Sequence, residues 1–227
     1  MRAHCLRHEG KDFLESLDYY NLCYELSKKY NRTEYIIRSV HGMICISFII
    51  SEETFDYERS FDELETIYSE TGELWDVYKY NTLKYMSILK RIKFKNFNEA
   101  ENLLNQSLEG YQKIKRRNIY DVHFEFGELY RFFGQYKKAV ISYAKCLEFA
   151  QSNSDYNLQS LSQLGIILCR IKTEEKISKK SLIDELQTIS ITAERKELFL
   201  NKLYSKIIMK NLDSINNIEN DIMLFNP

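Results

Sequence analysis

The 227-residue chain holds one proline and seven glycines. Sandwiches, barrels and alternating α/β folds need those residues at their many turns, so the scarcity excludes them and points to long helices joined by short polar connections. Long hydrophobic runs are also missing: the longest, Met43 to Ile50, is interrupted by Ser47. It falls far short of the roughly 20 residues needed to cross a bilayer, so no membrane partner is expected. Met1 to Gly10 is polar and carries two histidines, unlike a secretory leader, and a cytoplasmic location is the expectation. Charge of one sign is not in excess. Thirty-two basic residues face 33 acidic ones, for a net charge of -1, so no global field attracts nucleic acid.

The chain also lacks motifs of chemistry. Neither a phosphate-binding Gly-x-x-x-x-Gly-Lys-Ser/Thr loop nor Gly-x-Gly-x-x-Gly occurs, and no Gly-x-Ser-x-Gly elbow presents a nucleophile. The five cysteines, Cys5, Cys23, Cys45, Cys146 and Cys169, are odd in number and scattered through helical patterns, which reads as free thiols. His4, Cys5 and His8 have a ligand-like spacing, but no second ligand cluster completes a metal site. His41 and His123 fall at packing positions of helices. No catalytic residue, metal or cofactor is therefore expected.

What the chain does contain is a 44% hydrophobic content, enough for a substantial core, and a repeat. The segment Phe97-Asn-Glu-Ala100-Glu-Asn-Leu-Leu104-Asn-Gln-Ser107-Leu108 aligns without a gap on Tyr136-Lys-Lys-Ala139-Val-Ile-Ser-Tyr143-Ala-Lys-Cys146-Leu147, 39 residues later. Looser copies run through Tyr57, Ser60, Leu64 and Tyr68, and through Phe13, Ser16, Tyr20 and Tyr24. Residues at that spacing share one face of an α-helix, and the small second position lets a neighbouring helix come close. Helices are predicted over 11–30, 33–51, 54–70, 73–92, 97–115, 119–132, 136–152 and 155–171, with weaker ones near 179–192, 195–210 and 214–223.

The stretch His123-Phe-Glu-Phe126-Gly127-Glu-Leu-Tyr130-Arg-Phe-Phe-Gly134-Gln-Tyr136, continued through Ala139, Tyr143, Cys146 and Leu147, resembles a tetratricopeptide repeat. It departs from that family at His123, Cys146 and Gln151, where Trp, Ala and Pro are favoured. Leu161, Leu164, Gly165 and Leu168 begin a further copy. The resemblance implies an all-α fold, a right-handed α-solenoid of antiparallel helical hairpins. The expected organisation is an N-terminal segment 1–10, a solenoid over 11–177, and a degenerate, capping C-terminal part over 178–227.

The resemblance further implies a non-catalytic scaffold or sensor that holds a protein or peptide on the concave side, lined by the first helix of each hairpin. With Gly127 as the fixed point, Asp121, Phe124, Glu128 and Arg131 are expected to face that groove, followed by Gln159, Ser162, Ile166 and Arg170. The Lys and Asn clamp that members use for chaperone C-termini is absent, because Phe124 and Glu128 stand at its places. Repeats near 40 residues also resemble intracellular peptide-pheromone receptors and the sensor arms of signalling ATPases from bacteria. Two alternatives remain open at this level. One is RNA binding through Lys90, Arg91, Lys93 and Lys95 with Lys113, Lys115, Arg116 and Arg117; the other is a divergent enzyme activity in the C-terminal part. With the acidic stretch from Glu52 to Glu73, the same basic clusters also read as a bipolar groove selecting a charged peptide or partner surface. Homo-oligomerisation is left open.

Overall fold

The computed structural model describes residues 13–50, 57–71, 76–173, 178–210 and 212. Among these every element is helical. In chain order they are α1 (Phe13–Lys29), α2 (Thr33–Ile50), α3 (Tyr57–Thr71), α4 (Asp76–Ile92), α5 (Phe97–Lys113), α6 (Ile119–Phe132), α7 (Tyr136–Ser152), α8 (Tyr156–Thr173), α9 (Lys179–Arg195) and α10 (Phe199–Lys210). The predicted helices match these to within about a turn at each end. The expected helix near 214–223 and the His4/Cys5/His8 cluster lie outside the described residues.

The chain forms two compact units, 1–115 and 116–227. The division falls in the turn between α5 and α6. From 178 onward the chain contributes α9 and α10 to the second unit, where both pack on α8.

So few glycines suffice because the turns use other residues in the left-handed conformation. Asn31, Lys95, Lys115, Ser154 and Glu197 have φ between 50° and 58°, and Gly134 has φ 73°. Four turns close in the same way: the residue after the left-handed one donates its N–H five residues back. The bonds are Arg32 to Ser27 (2.8 Å), Gln135 to Tyr130 (2.7 Å), Asp155 to Ala150 (2.9 Å) and Leu198 to Ala193 (2.8 Å). This satisfies orphan carbonyls at a helix end and turns the chain back on itself in two or three residues. Side-chain caps then start several helices: Asn96 Oδ1 accepts from Glu99 N–H at 3.2 Å, and Asp155 Oδ1 accepts from Leu158 N–H at 3.0 Å.

Consecutive helices pack as hairpins, α1 on α2, α4 on α5, α6 on α7, α7 on α8 and α9 on α10. A second pattern lies on top of this. In the first unit α2 also touches α4, whereas α1 and α3, or α3 and α5, meet at few points or none. In the second unit α6 touches α8 and α8 touches α10, whereas α7 and α9 barely meet. Even-numbered helices thus converge within each unit and odd-numbered ones splay.

The small repeat positions carry the close contacts. Ser16, Ala100 and Ala139 are fully buried, as are Ser107 and Cys146. Ser87 Oγ donates to the Ala100 carbonyl (2.8 Å) and Ser107 Oγ to the Tyr80 carbonyl (2.7 Å), so hydroxyls tie α4 to α5 without adding bulk. Glycine is used where a tyrosine ring lies against a helix backbone. A Cβ on Gly42 would stand 2.3 Å from Tyr20, and one on Gly110 would stand 2.1 Å from Tyr80. Tyr143 is held on both sides: a Cβ on Gly127 or on Gly165 would come within 2.5 Å of its ring.

Because that ring is clamped from two helices, it cannot yield to either. Gly165→Ala is expected to lower stability by about 1–3 kcal/mol, as overpacking does. A urea unfolding midpoint unchanged from wild type would show that the seam between α6 and α8 can relax.

Candidate functional site

The eight residues expected to face a groove separate into two groups. Phe124 (0% exposed), Glu128 (1%), Arg131 (5%) and Ser162 (0%) are buried within the second unit. The other four, Asp121, Gln159, Ile166 and Arg170, are half-buried. This corrects the expected availability of the first group. Glycines at 127 and 165 let the converging helices close on Tyr143, so side chains flanking Gly127 fill the seam. Phe124 lies against the Tyr143 ring at 5.7 Å between centroids.

Glu128 and Arg131 form an ion pair inside this seam. Arg131 Nε donates to Glu128 Oε1 at 3.1 Å and Nη2 to Oε2 at 2.9 Å, a forked pairing that the planar guanidinium suits. The Tyr143 hydroxyl donates to the same carboxylate. Burial alone works against the Arg131 charge, but Glu128 and Tyr143 outweigh it and hold the guanidinium above its ordinary value. Burial, then the neighbouring Glu128 charge, pushes Tyr143 well up, so its hydroxyl stays protonated as a donor. Arg170 is also engaged, donating through Nη1 to Glu185 Oε2 on α9 at 2.8 Å.

The other candidate chemical groups are held in structural roles. His41 is buried, with Nδ1 3.2 Å from Thr82 Oγ1 and Nε2 3.2 Å from Asn81 Nδ2. Thr82 Oγ1 already donates to the Tyr78 carbonyl, so it accepts from His41 Nδ1–H, and Nε2 accepts from Asn81. Burial, followed by Lys145, lowers the His123 pKa. Burial pushes the Cys146 and Cys169 thiols up to about 12, which leaves them protonated at neutral pH. Among the described residues no group of three His, Cys, Asp or Glu is placed to hold a metal. No helix among them is long and apolar enough to cross a membrane.

The charge clusters are not brought together as one surface. Lys90 and Arg91 are buried, Lys90 pairing with Glu99 at 3.1 Å, while Lys93 and Lys95 are exposed before α5. Lys113 and Lys115 stand at the other end of that 17-residue helix, about 25 Å away at 1.5 Å per residue. Of the acidic stretch, residues 52–56 and 72–75 lie outside the described part, and Glu63 is engaged by Tyr24 and Lys28.

One cavity, of about 570 Å³, opens at the end of the second unit where α6, α8 and α10 begin. Asp121 from the expected set lines it, with Arg117 and Asn118 before α6, Asn153 to Asp155 between α7 and α8, Tyr156 to Leu158 in the first turn of α8, and Lys196 and Leu198 before α10. Phe149 forms part of its wall and stacks on Tyr120 at 3.6 Å. Lys196 Nζ stands 4.0 Å from the centroid of the Tyr156 ring. Sequence reasoning missed this site. Its signal was the run Ser152-Asn-Ser-Asp155, which reads as turn chemistry and gives no hint of which loops become neighbours.

No protein-family model matches the chain, and no curated protein does. Among solved structures, the crystal structure of BtubC (BKLC) from P. vanneervenii is similar over 96% of this chain and 95% of that one, with a TM-score of 0.53 and 9% sequence identity. At that identity the likeness concerns the fold alone.

Two outcomes test this picture of the buried groups. Arg131→Met should cost about 3–5 kcal/mol in chemical unfolding, because it leaves the Glu128 carboxylate buried without its cation. A loss under about 1 kcal/mol would mean that Glu128 reaches water. In native protein at pH 8, iodoacetamide should leave Cys146 and Cys169 unmodified in peptide mass maps and label both only in denaturant. Rapid native labelling of either would contradict its burial.

Proposed function

We propose that this chain is a non-catalytic scaffold, an α-solenoid of tetratricopeptide-like hairpins that holds a protein or peptide on the side lined by its even-numbered helices. The observation that carries this reading is the unequal packing within each unit. When α8 touches both α6 and α10 while α7 and α9 splay, the layer of even helices is the inner side of a curve. A right-handed superhelix results if successive hairpins repeat the same step. On that inner layer Gln159 and Ile166 of α8 keep exposed surface, whereas the neighbouring Phe124, Glu128 and Arg131 hold the layer together. The roles of His41, Cys146 and Cys169 as packed, hydrogen-bonded or protonated groups support holding over catalysis. The separation of the two basic clusters disfavours a continuous track for RNA.

A photo-crosslinking amino acid placed at Gln159 or Ile166 should yield partner adducts in cells, and the same group at Ile141, which is 60% exposed on α7, should not. Equal adduct formation from α7 would refute the inner-layer assignment.

A further inference from the structure

The cavity at the start of α6, α8 and α10 has charges that the fold does not use. Its carboxylates are engaged: Asp155 caps α8 through Leu158 N–H, and Asp121 makes an interaction within the chain. Its cations are not matched. Among the described residues neither Arg117 nor Lys196 has an ion pair, and the company of Lys196 is the Tyr156 ring. The Asn118 carboxamide makes no capping hydrogen bond, although it stands at the start of α6. Phe149, Leu158 and Leu198 supply apolar wall between these polar groups.

We propose that this cavity binds a short extended peptide carrying an acidic side chain beside a large apolar one. The apolar side chain would bury against Phe149 and the two leucines, and the carboxylate would lie between Arg117 and Lys196, whose hydrogen bonds to a charged acceptor are stronger than neutral ones. Asn118 offers both a donor and an acceptor to a peptide unit. Asp121 and Asp155 set the charge limit. They repel a multiply charged phosphate group, while a single carboxylate held toward the cations escapes most of that repulsion. The cavity volume of about 570 Å³ lies in the range of pockets that enclose a drug-sized ligand, which is a few residues of peptide.

The site rests on the scaffold reading and specifies one class of ligand for it. The test uses the full chain and an acetylated, amidated hexapeptide of sequence Gly-Gly-Phe-Glu-Gly-Gly, compared with versions in which Gln or Lys replaces Glu, and with inorganic phosphate. Binding is followed by amide chemical shifts. The Glu peptide should bind about ten-fold or more tightly than the Gln peptide, with shifts centred on Asn118, Tyr156 and Lys196. Arg117→Gln with Lys196→Gln should remove that preference without changing the melting temperature, since both side chains are exposed. Equal binding of Glu and Gln peptides, no binding of either, an undiminished preference in the double variant, or displacement of the Glu peptide by millimolar phosphate would each overturn the proposal. Crosslinking from Ile166 that persists in the double variant would leave the scaffold reading standing without this site.

Discussion

The second unit depends on one ring. Tyr143 reaches from α7 into the seam between α6 and α8, and both walls of that seam are glycine at the point of contact. A ring in such a slot is held from two helices, and its hydroxyl meets the Glu128 carboxylate. Burying that carboxylate is costly unless its oxygens are occupied; Arg131, three residues on, supplies two hydrogen bonds in the geometry carboxylates accept best. A packing requirement and an electrostatic one thus converge on a few residues of α6, α7 and α8. Neither is optional. Without the glycines the tyrosine meets a Cβ at about 2.5 Å and the seam must shift, and without Arg131 a charge is left in the core.

The same seam explains why α6 and α8 offer less surface than their sequence pattern promised. Residues one helical step either side of Gly127 would line a groove if the seam between α6 and α8 were open. The Tyr143 ring fills it against Gly127 and Gly165, and Phe124, Glu128 and Arg131 are buried around that ring. In the first unit the corresponding slots are one-sided, Tyr20 against Gly42 and Tyr80 against Gly110. There serine hydroxyls on α4 and α5 take over part of the bonding across the hairpin.

Helix placement was legible in the sequence because it rests on local quantities. The spacing of Phe97, Ala100 and Leu104, echoed by Tyr136, Ala139 and Tyr143, determines which face is buried whatever the partner helix is. The all-α architecture derives from that periodicity and from the rarity of proline. The site was legible only in part, since the direction of a side chain depends on how closely two helices approach. Charged residues are exposed by default, so Glu128 and Arg131 read as surface groups; the clue against that was their three-residue spacing beside Gly127 and opposite a tyrosine. The cavity was illegible for a different reason. Its lining comes from three loops separated by about 40 residues each, and nothing in any one loop names the others.

Those loops also show the consequence of building turns without glycine. A left-handed Ser154 or Glu197 performs the reversal and at the same time leaves a side chain at the helix end, next to the polar groups that start the next helix. Asn153, Asp155 and Lys196 accumulate there as a result of turn chemistry. The fold then uses some of them, as when Asp155 caps α8 or Asn201 on α10 donates to Asn157 Oδ1 at 3.0 Å. Arg117 and Lys196 stay outside that network. In the seam, by contrast, the buried pair has both of its charges answered within the chain, so the seam offers little to a ligand. Charge available for recognition therefore concentrates at the loop end of the unit, where the packing constraint on the helices no longer applies.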